Sequence, residues 1–320
     1  MTILVTGGAG YIGAHMAHAL VRAGERVVVV DDLRRGHRAS VPAEAIFAAA
    51  DIADRGAITE VLRAHAVTAV MHFAAYAQVG ESVKDPRSYY ANNFVSALAL
   101  IDACIDARVS AFVLSSTAAV YGEPIRTPID EDHPTKPVNP YGATKLALEG
   151  VLEAYGVAHG LRWAALRYFN AAGAAFGLRE HHDPETHLIP LAIDAALGTR
   201  PGLTVFGEDW PTPDGTCIRD YVHVLDLCDA HRLALTHITR EGSAASGAFN
   251  LGSGEGASVR AVIDAVGRAA GKPVPFTVGP RRAGDPAVLV ASSAKARAVL
   301  GWNPSRGLTD IVRDALASRT

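Results

Sequence analysis

Cysteine is scarce: the 320 residues hold three, Cys104, Cys217 and Cys228, and no two of them form a CxxC pair. That spacing excludes a disulfide framework and a cysteine-bound zinc centre. Long apolar runs are missing too. No stretch reaches the roughly 20 apolar residues that cross a bilayer, and "MTILVTGG" has neither the basic start nor the long apolar segment of a secretory signal. The expectation is a cytoplasmic protein without membrane attachment. Excess charge is absent as well: the formal net charge is −3, so nothing in the balance draws the chain to nucleic acid or anionic lipid. Basic residues gather only locally, at Arg34/Arg35 and Arg281/Arg282. There is no repeat and no low-complexity segment. What remains is 49% apolar and 20% charged, the balance of a globular enzyme with core enough for one large domain or two lobes.

The first half alternates strand-length apolar runs with helical patterns. "ILVT", "RVVVV" ending at Asp31, "AIFAAAD" ending at Asp51, "TAVMHFAA", "AFVLSS" and "RWAALRYFN" read as strands. "YIGAHMAHALVRAG", "AITEVLRAH", a stretch from about Ser88 to Ala107 and the segment from "NPYG" onward read as helices between them. Continuous apolar strands suit a parallel sheet covered on both faces. The βαβα order predicts an α/β fold, a doubly wound parallel (Rossmann) sheet with right-handed crossovers. The alternation breaks near Asn170. Beyond it come a polar loop (177–187), the helix "HLIPLAIDAALG", the strand "LTVFG" and the loop "EDWPTPDGT". The helix "VHVLDLCDAHRLALTHI" and the strand "AFNLGS" read as further pieces of the first layer. A helix from Ser258, a strand "PVPFTV" and two short helices around Trp302 close the chain. The expected division is a dinucleotide-binding lobe of residues 1–170 plus about 221–252, and a smaller mixed α/β substrate lobe of 171–220 plus about 253–320.

"VTGGAGYIG" sets Gly7, Gly10 and Gly13 at G-x-x-G-x-x-G spacing, with Gly8 a fourth, directly between a strand and a helix. Without Cβ atoms, this backbone can approach a pyrophosphate held at the positive helix start; the bland alternative is a tight turn. Asp31 ends the second strand about 20 residues on, where a carboxylate accepts from the adenosine ribose hydroxyls and repels a 2′-phosphate. NAD is therefore expected over NADP. Arg34 and Arg35 either soften that preference or form a solvated turn. Asp51 and Ile52 sit where adenine can be read by hydrogen bond and apolar contact, and Asp51 is equally suited to cap a helix. In "HFAA", residues 72–75, the small Ala74 and Ala75 let backbone lie close to a cofactor.

"NPYGATKLA" puts Tyr141 four residues ahead of Lys145, just after Pro140. Proline suits the first helical position, and residues four apart share a face. A lysine in the first turns opposes the helix dipole, so an ordinary surface helix would carry an acid there. The strand "AFVLSS" runs into "TAAVYG" and brings Thr117 to the same carboxyl edge of the sheet. Hydroxyl, tyrosine and lysine beside a nicotinamide make an acid/base unit. A free phenol, with a pKa of about 10, is a poor base at neutral pH; an ammonium and a helix start both favour phenolate. For Thr117 the plain alternative is a bond to nearby backbone.

With these motifs in place, the chain closely resembles the UDP-glucose 4-epimerase family, within the extended short-chain dehydrogenases/reductases. The likeness runs over nearly the whole length, through "VTGGAGYIG", "DI", "HFAA", "VGES", "YYANN", "SSTAAVYGEP", "PYGATK", "LRYFNAAGA", "HLIP", "VFG", "DGTCIRDYVHVLDL", "FNLGSGEG" and "RRAGDP". It implies an NAD that stays bound through the cycle and a reversible C4 epimerisation of UDP-glucose and UDP-galactose. The resemblance routes that reaction through a 4-keto sugar that turns over about its phosphate tether, hydride returning to the opposite face. It implies Tyr141 as the base at the sugar 4-hydroxyl, Lys145 on the nicotinamide ribose and lowering the tyrosine pKa, and Thr117 on the 4-oxygen. To the cofactor residues it adds Tyr11, Ile12, Asp32, Phe73, Asn92, Ser115 and Tyr168. For the UDP-hexose it implies Asn93, Phe169, Asn170, His187, Leu188, Val205, Phe206, Arg219, Tyr221, Arg282, Asp285 and Leu289. Arg219 and Arg282 suit a diphosphate because guanidinium forks match phosphate oxygens; Asn93 also fits a helix cap. The homodimer common in the family is expected, with the helices of residues 88–107 and 141–159 as interface candidates.

Four departures mark this chain. Thr117 stands where serine is frequent, and Ala77 where some members carry a lysine toward a phosphate. His187 replaces an asparagine of some members. Leu289 occupies a pocket-bounding position that is tyrosine in some members and smaller in others, so UDP-N-acetylglucosamine and UDP-glucuronate stay open as alternative substrates. Ala118 and Ala119 follow Thr117 where related 4,6-dehydratases have an Asp-Glu pair and decarboxylases a glutamate. Their absence favours oxidation and re-reduction at C4. A non-catalytic dinucleotide sensor is opposed by the retained tyrosine, lysine and hydroxyl. In "HHDPETH", His181, His182 and His187 lack the i, i+4 spacing of helical metal ligands, so a solvated loop beside the substrate and no metal are expected.

Overall fold

The computed structural model describes residues 1–180, 182–240, 246–282 and 285–319. Its strands are β1 (Thr2–Thr6), β2 (Arg26–Asp31), β3 (Ile46–Ala49), β4 (Ala69–His72), β5 (Ala111–Thr117), β6 (Arg162–Tyr168) and β7 (Asn170–Ala172). They continue with β8 (Leu203–Phe206), β9 (Ile218–Arg219), β10 (Tyr221–His223), β11 (Gly247–Leu251), β12 (Ala257–Ser258), β13 (Phe276–Gly279) and β14 (Val288–Leu289). The helices are α1 (Tyr11–Arg22), α2 (Arg55–Ala64), α3 (Val79–Lys84), α4 (Pro86–Tyr89), α5 (Ser96–Asp106) and α6 (Pro140–His159). After them come α7 (Leu188–Leu197), α8 (Val224–Thr239), α9 (Val259–Ala270) and α10 (Leu308–Ala317). Among the described residues, no helix is long and apolar enough to cross a membrane.

Seven strands pair in parallel in the order β11-β6-β5-β4-β1-β2-β3. The apolar strands split by a period of two. Ile3, Val5, Val27, Val29, Val113 and Phe249 face α1 and α8, where Met16, Leu20 and Leu227 wait, with Trp302 from the tail in the same core. Leu4, Val28, Val30, Val70, Phe112 and Leu114 face Ile58, Leu62, Leu100, Ile101, Leu148 and Leu152 of α2, α5 and α6. Both faces are thus covered, as continuous apolar strands require. The chain turns outward from β1 through β2 to β3, then crosses back so that β4 lies on the other side of β1. A crevice therefore opens at the carboxyl ends of β1 and β4, the usual ligand position in such sheets.

A third core is formed by Ile189 and Ile193 of α7, Val262 and Val266 of α9, Ile311 and Val312 of α10, and Leu203 and Val205 of β8. Small sheets β12-β9-β14 and β13-β8 lie on this side. β7 pairs with β10, Asn170 opposite Tyr221, so two passages of the chain out of the large sheet run side by side.

Two elements differ in detail from the expected pattern. The long helix from "VHVL" begins at Val224, because Tyr221–His223 is drawn into that strand pair first. The stretch of residues 88–107 is broken by a π-helical segment at Tyr90–Val95, which turns Asn93 inward to 1% exposure. Two short helical segments do flank Trp302, as expected: the π-helical Ala296–Leu300 before it and α10 after it. Periodicity in a single chain does not register one inserted residue in a helix.

Candidate active site

The glycine loop leaves β1 at Gly7 with φ 68°, and a Cβ there would meet Ala74 N at 2.5 Å. A Cβ on Gly13 would lie 2.2 Å from Gly7 O. The loop, the first turn of α1 and the "HFAA" segment after β4 are thus pressed together at the crevice. Gly10 offers α1 no side-chain cap and no acid stands in its first turn, which leaves the N–H groups around Tyr11, Ile12 and Gly13 to an anion from outside. Tyr11 donates its hydroxyl to Gly173 O at 2.6 Å. Asp31 is buried; it accepts from Ala9 N (3.0 Å) and Leu33 N (2.8 Å), tying the end of β2 to the glycine loop, and burial raises its pKa against those two bonds.

Asp32 accepts from Arg34 N at 3.0 Å and pairs with its side chain at 3.2 Å, while Arg34 also holds Asp51. Arg35 lies over the Tyr76 ring at 4.1 Å and pairs with Glu81 at 2.7 Å. Both arginines are therefore committed to carboxylates, which removes them as a lure for a 2′-phosphate. Asp51 also accepts from Ala53 N at 2.9 Å; the cap of α2 is Asp54 instead. Ile52 sits in the second core, and Phe73 packs on His231 with centroids 4.8 Å apart.

Asn139 caps α6 through Gly142 N at 2.8 Å, and Pro140 takes the first position, so Tyr141 and Lys145 enter on the turn nearest the sheet. Thr117 ends β5, and its hydroxyl accepts from Ala119 N at 3.1 Å while also bonding the Tyr141 phenol. The backbone bond expected of that threonine is present. Lys145 is 1% exposed and donates to Ser115 O at 2.8 Å. Burial pulls its ammonium down to about 8, with Glu149 opposing. For Tyr141, burial raises the pKa and the Thr117 bond opposes the rise. The expectation of a lowered tyrosine is thus corrected for the protein alone: desolvation of phenolate outweighs what these side chains offer.

Tyr168 bonds His231 Nε2 at 2.5 Å. Because His231 Nδ1 must donate to Leu227 O at 2.8 Å, Nε2 is the acceptor and the tyrosine the donor. Asn92 donates to Asn93 Oδ1 at 3.0 Å. Asn93 spends its amide on Tyr76, accepting from N and donating to O, both at 2.8 Å. It holds the segment after "HFAA" from behind and, in this structure, is neither a helix cap nor an open substrate ligand.

The residues expected at the UDP-hexose fall into several separate contacts. Arg219 on β9 lies opposite Leu289 on β14, donates to Ile218 O and Pro286 O (2.9 Å each), and has Asp285 at 3.6 Å. Arg282 stacks on Phe206 at 3.9 Å. Phe169 and Leu289 pack on Val120, Tyr121 and Ile129. Val205 points into the third core, so its side chain is not part of a pocket wall. His187 stands at the N-terminal boundary of α7, ahead of Leu188, without a capping side-chain bond, and meets Glu180 at 3.0 Å and Glu185 at 2.8 Å. Burial works against charge on its ring, but the two glutamates outweigh it and lift the imidazole to about 9. Glu180, His182 and His187 offer ligand atoms all within 4.8 Å of one another, and Glu180 is 7% exposed. This loop is thus less solvated than its composition suggests, because its carboxylates turn inward to its histidines. His181 lies outside the described residues.

Residues 3–252 match the model of the NAD dependent epimerase/dehydratase family. The chain belongs to that family. It is 51% identical over 318 residues to a curated UDP-glucose 4-epimerase of Azospirillum brasilense, covering 98% of this chain and 91% of that one. Among solved structures it is similar to the UDP-glucose 4-epimerase from Brucella ovis in complex with NAD (TM-score 0.96, 47% identity, 99% and 97% of the two chains). It is also similar to the enzyme from Bifidobacterium longum in complex with NAD+ and UDP (TM-score 0.93, 37% identity, 100% and 98%).

Several further buried polar residues surround the site. Tyr89 stands edge-on to Tyr141 with centroids 6.5 Å apart. Glu149 and Arg167 form a buried ion pair behind Lys145. Asp220 accepts from Ser253 N, Gly254 N and Ala291 N, binding together the loops around Arg219. A glutamate at i+4 from Lys145 was the visible signal; the partner on a separate strand was not.

Proposed function

We propose that this chain interconverts UDP-glucose and UDP-galactose by inverting C4, with NAD held throughout the cycle. The observation that carries the reading is the Thr117–Tyr141 pair with Lys145 buried one helical turn away, at the sheet edge that also presents the glycine loop. Residues 118 and 119, beside that pair, are alanines, which leaves no acid for eliminating or decarboxylating chemistry.

Bound NAD supplies the hydride acceptor and donor for C4 and, when oxidised, a positive charge beside the phenol. The cradle fits it: close-packed glycines, an uncapped helix start, and a buried Asp31 at the end of β2. Tyr141 takes the proton of the sugar 4-hydroxyl and returns it to the same oxygen after the sugar has turned over. Thr117 bonds that oxygen and shares the phenolic proton. Lys145 holds the nicotinamide ribose and keeps a cation near the phenol. Arg219 and Arg282 hold the diphosphate, so the uridine end stays fixed while the 4-keto hexose rotates against the apolar wall of Phe169 and Leu289. His187 stands where the family resemblance places the substrate, its charge already matched by Glu180 and Glu185. The lobes act as one unit in this reading, residues 1–170 and about 221–252 holding NAD and the remainder the UDP-sugar.

The reading also includes a homodimer. Tyr90, Val95 and Val157 are 45%, 60% and 87% exposed, and they lie on the π turn and α6, beside α5, where a second copy would cover them.

Purified protein is incubated separately with UDP-galactose, UDP-N-acetylgalactosamine and UDP-galacturonate, without added NAD, and the products are separated. UDP-galactose is expected to give UDP-glucose. Turnover of only an N-acetylated or uronic sugar would keep the C4 chemistry and change the substrate. No epimerisation of any of the three, with or without added NAD, would defeat the proposal.

A further inference from the structure

Two adjacent residues of β5 are gripped by two residues one turn apart on α6. Lys145 donates to the carbonyl of Ser115 at 2.8 Å, and the Ser116 hydroxyl donates to Glu149 Oε1 at 2.5 Å. Across the strand pair Ser116 lies opposite Arg167, and Thr117 opposite Tyr168. Arg167 closes the clamp, reaching Glu149 with Nε at 3.1 and 3.2 Å and with Nη2 at 2.6 Å. Its remaining arm, Nη1, donates to the Tyr121 hydroxyl at 2.8 Å, which donates to Asn250 Oδ1 at 2.7 Å. Asn250 in turn donates to Ile129 O at 2.9 Å. Glu149 and Arg167 are 6% and 7% exposed. A buried pair of this kind is costly compared with apolar residues of similar volume, so packing alone does not explain it.

We propose that the Glu149–Arg167 pair is the positioning element of this site: it clamps α6 to the ends of β5 and β6, sets Tyr141 and Lys145 against Thr117, and presents a carboxylate one turn behind the Lys145 ammonium. The proposal rests on the reading of Tyr141 and Lys145 as the site's proton-handling pair. Lys145 is faced by Glu149 from its own helix, by the Ser115 carbonyl from β5 and by His72 from β4, with Arg167 of β6 paired to Glu149 behind it. His72 is held neutral, burial and then Lys145 bringing it to about 3. Glu149 is therefore the anion that offsets the burial of Lys145, whose own value has already come down to about 8. Removing that carboxylate lets the ammonium lose its proton at lower pH. If activity needs the charged lysine, the alkaline limb of the rate profile moves the same way.

The test uses holoenzyme of the wild type, Glu149→Gln, and the double variant Glu149→Met/Arg167→Met, which deletes both charges and keeps a packed core. Two readouts are taken: kcat and KM against pH, and the titration of Lys145 by carbon-13 lysine NMR, its signal assigned by its loss in Lys145→Met. Glu149→Gln is expected to lower the Lys145 titration and the alkaline limb of kcat by about one pH unit or more; the double variant, which also removes the opposing Arg167 cation, is expected to move the titration less and to lower kcat at least tenfold, with KM changed by less than about threefold in both. An unchanged Lys145 titration in Glu149→Gln, whatever its activity, overturns the proposal; if that variant fails to fold, wild-type kcat in the double variant overturns it instead. A shifted titration in a protein that epimerises nothing would instead defeat the reading of the site.

Discussion

Tyr141 lies at the point where burial and catalysis pull in opposite directions. Desolvation raises its pKa and the Thr117 hydroxyl opposes that rise, so in the protein alone the phenol keeps its proton at neutral pH. In the proposed cycle it gives that proton to the 4-keto oxygen and acts as a base once a cation stands beside it. Tyr141→Phe removes the proton carrier and one hydrogen bond while keeping the ring that Tyr89 packs against. The loss in stability is expected to be about 1 kcal/mol, and the loss in kcat about 10²- to 10⁴-fold. Cofactor content, read by absorbance after extraction, should match the wild type. Near-normal turnover would remove Tyr141 from its role. At this scale the sequence was informative where a residue type was out of place, as Lys145 was in the first turns of a helix. It was silent where the deciding partner comes from elsewhere in the chain. Arg34 is held by Asp51, and Asn93 by the backbone of Tyr76; neither pairing leaves a trace in local spacing.

Elements position these residues by their ends. β1 delivers Gly7, β4 delivers Phe73–Ala75, β5 delivers Thr117, and α6 begins at Pro140 with its first two turns against that edge. The strands were legible because each is a continuous apolar run whose alternate residues fill two separate cores. What escaped were departures from regular geometry. The π turn at Tyr90–Val95 interrupts an apparently continuous helix, and β10 takes Tyr221–His223 away from the start of α8. Two- and three-residue strands such as β9 and β14 exist only because Ile218 and Arg219 find Val288 and Leu289, and a pattern of two residues has no period to read. The exposed apolar residues around α5 and α6 belong to this scale too. Light scattering of purified protein is expected to give about twice the 33.5 kDa of one chain, and Val157→Glu should shift the mass toward a monomer. A wild-type monomer at micromolar concentration would dismiss the interface.

The whole molecule joins a sheet that can cradle a dinucleotide to a smaller region carrying Arg219, Arg282 and His187, through the paired passages β7 and β10. Fold and family were both within reach of the sequence, because the motifs that carry the resemblance sit at strand ends the topology brings to one crevice. The choice of sugar was not, since the wall at Leu289 is assembled from Phe169, Val120, Tyr121 and Ile129, contributed by widely separated segments. At this scale the proposed function comes down to one step: hydrogen leaves C4 and returns to it as hydride, within one closed cycle on the protein. UDP-galactose carrying deuterium at C4, incubated in ordinary water with the purified protein and no added NAD, tests this directly. The account predicts UDP-glucose that keeps its deuterium at C4. UDP-glucose with solvent hydrogen at that carbon would contradict it, because the label would then have left as a proton.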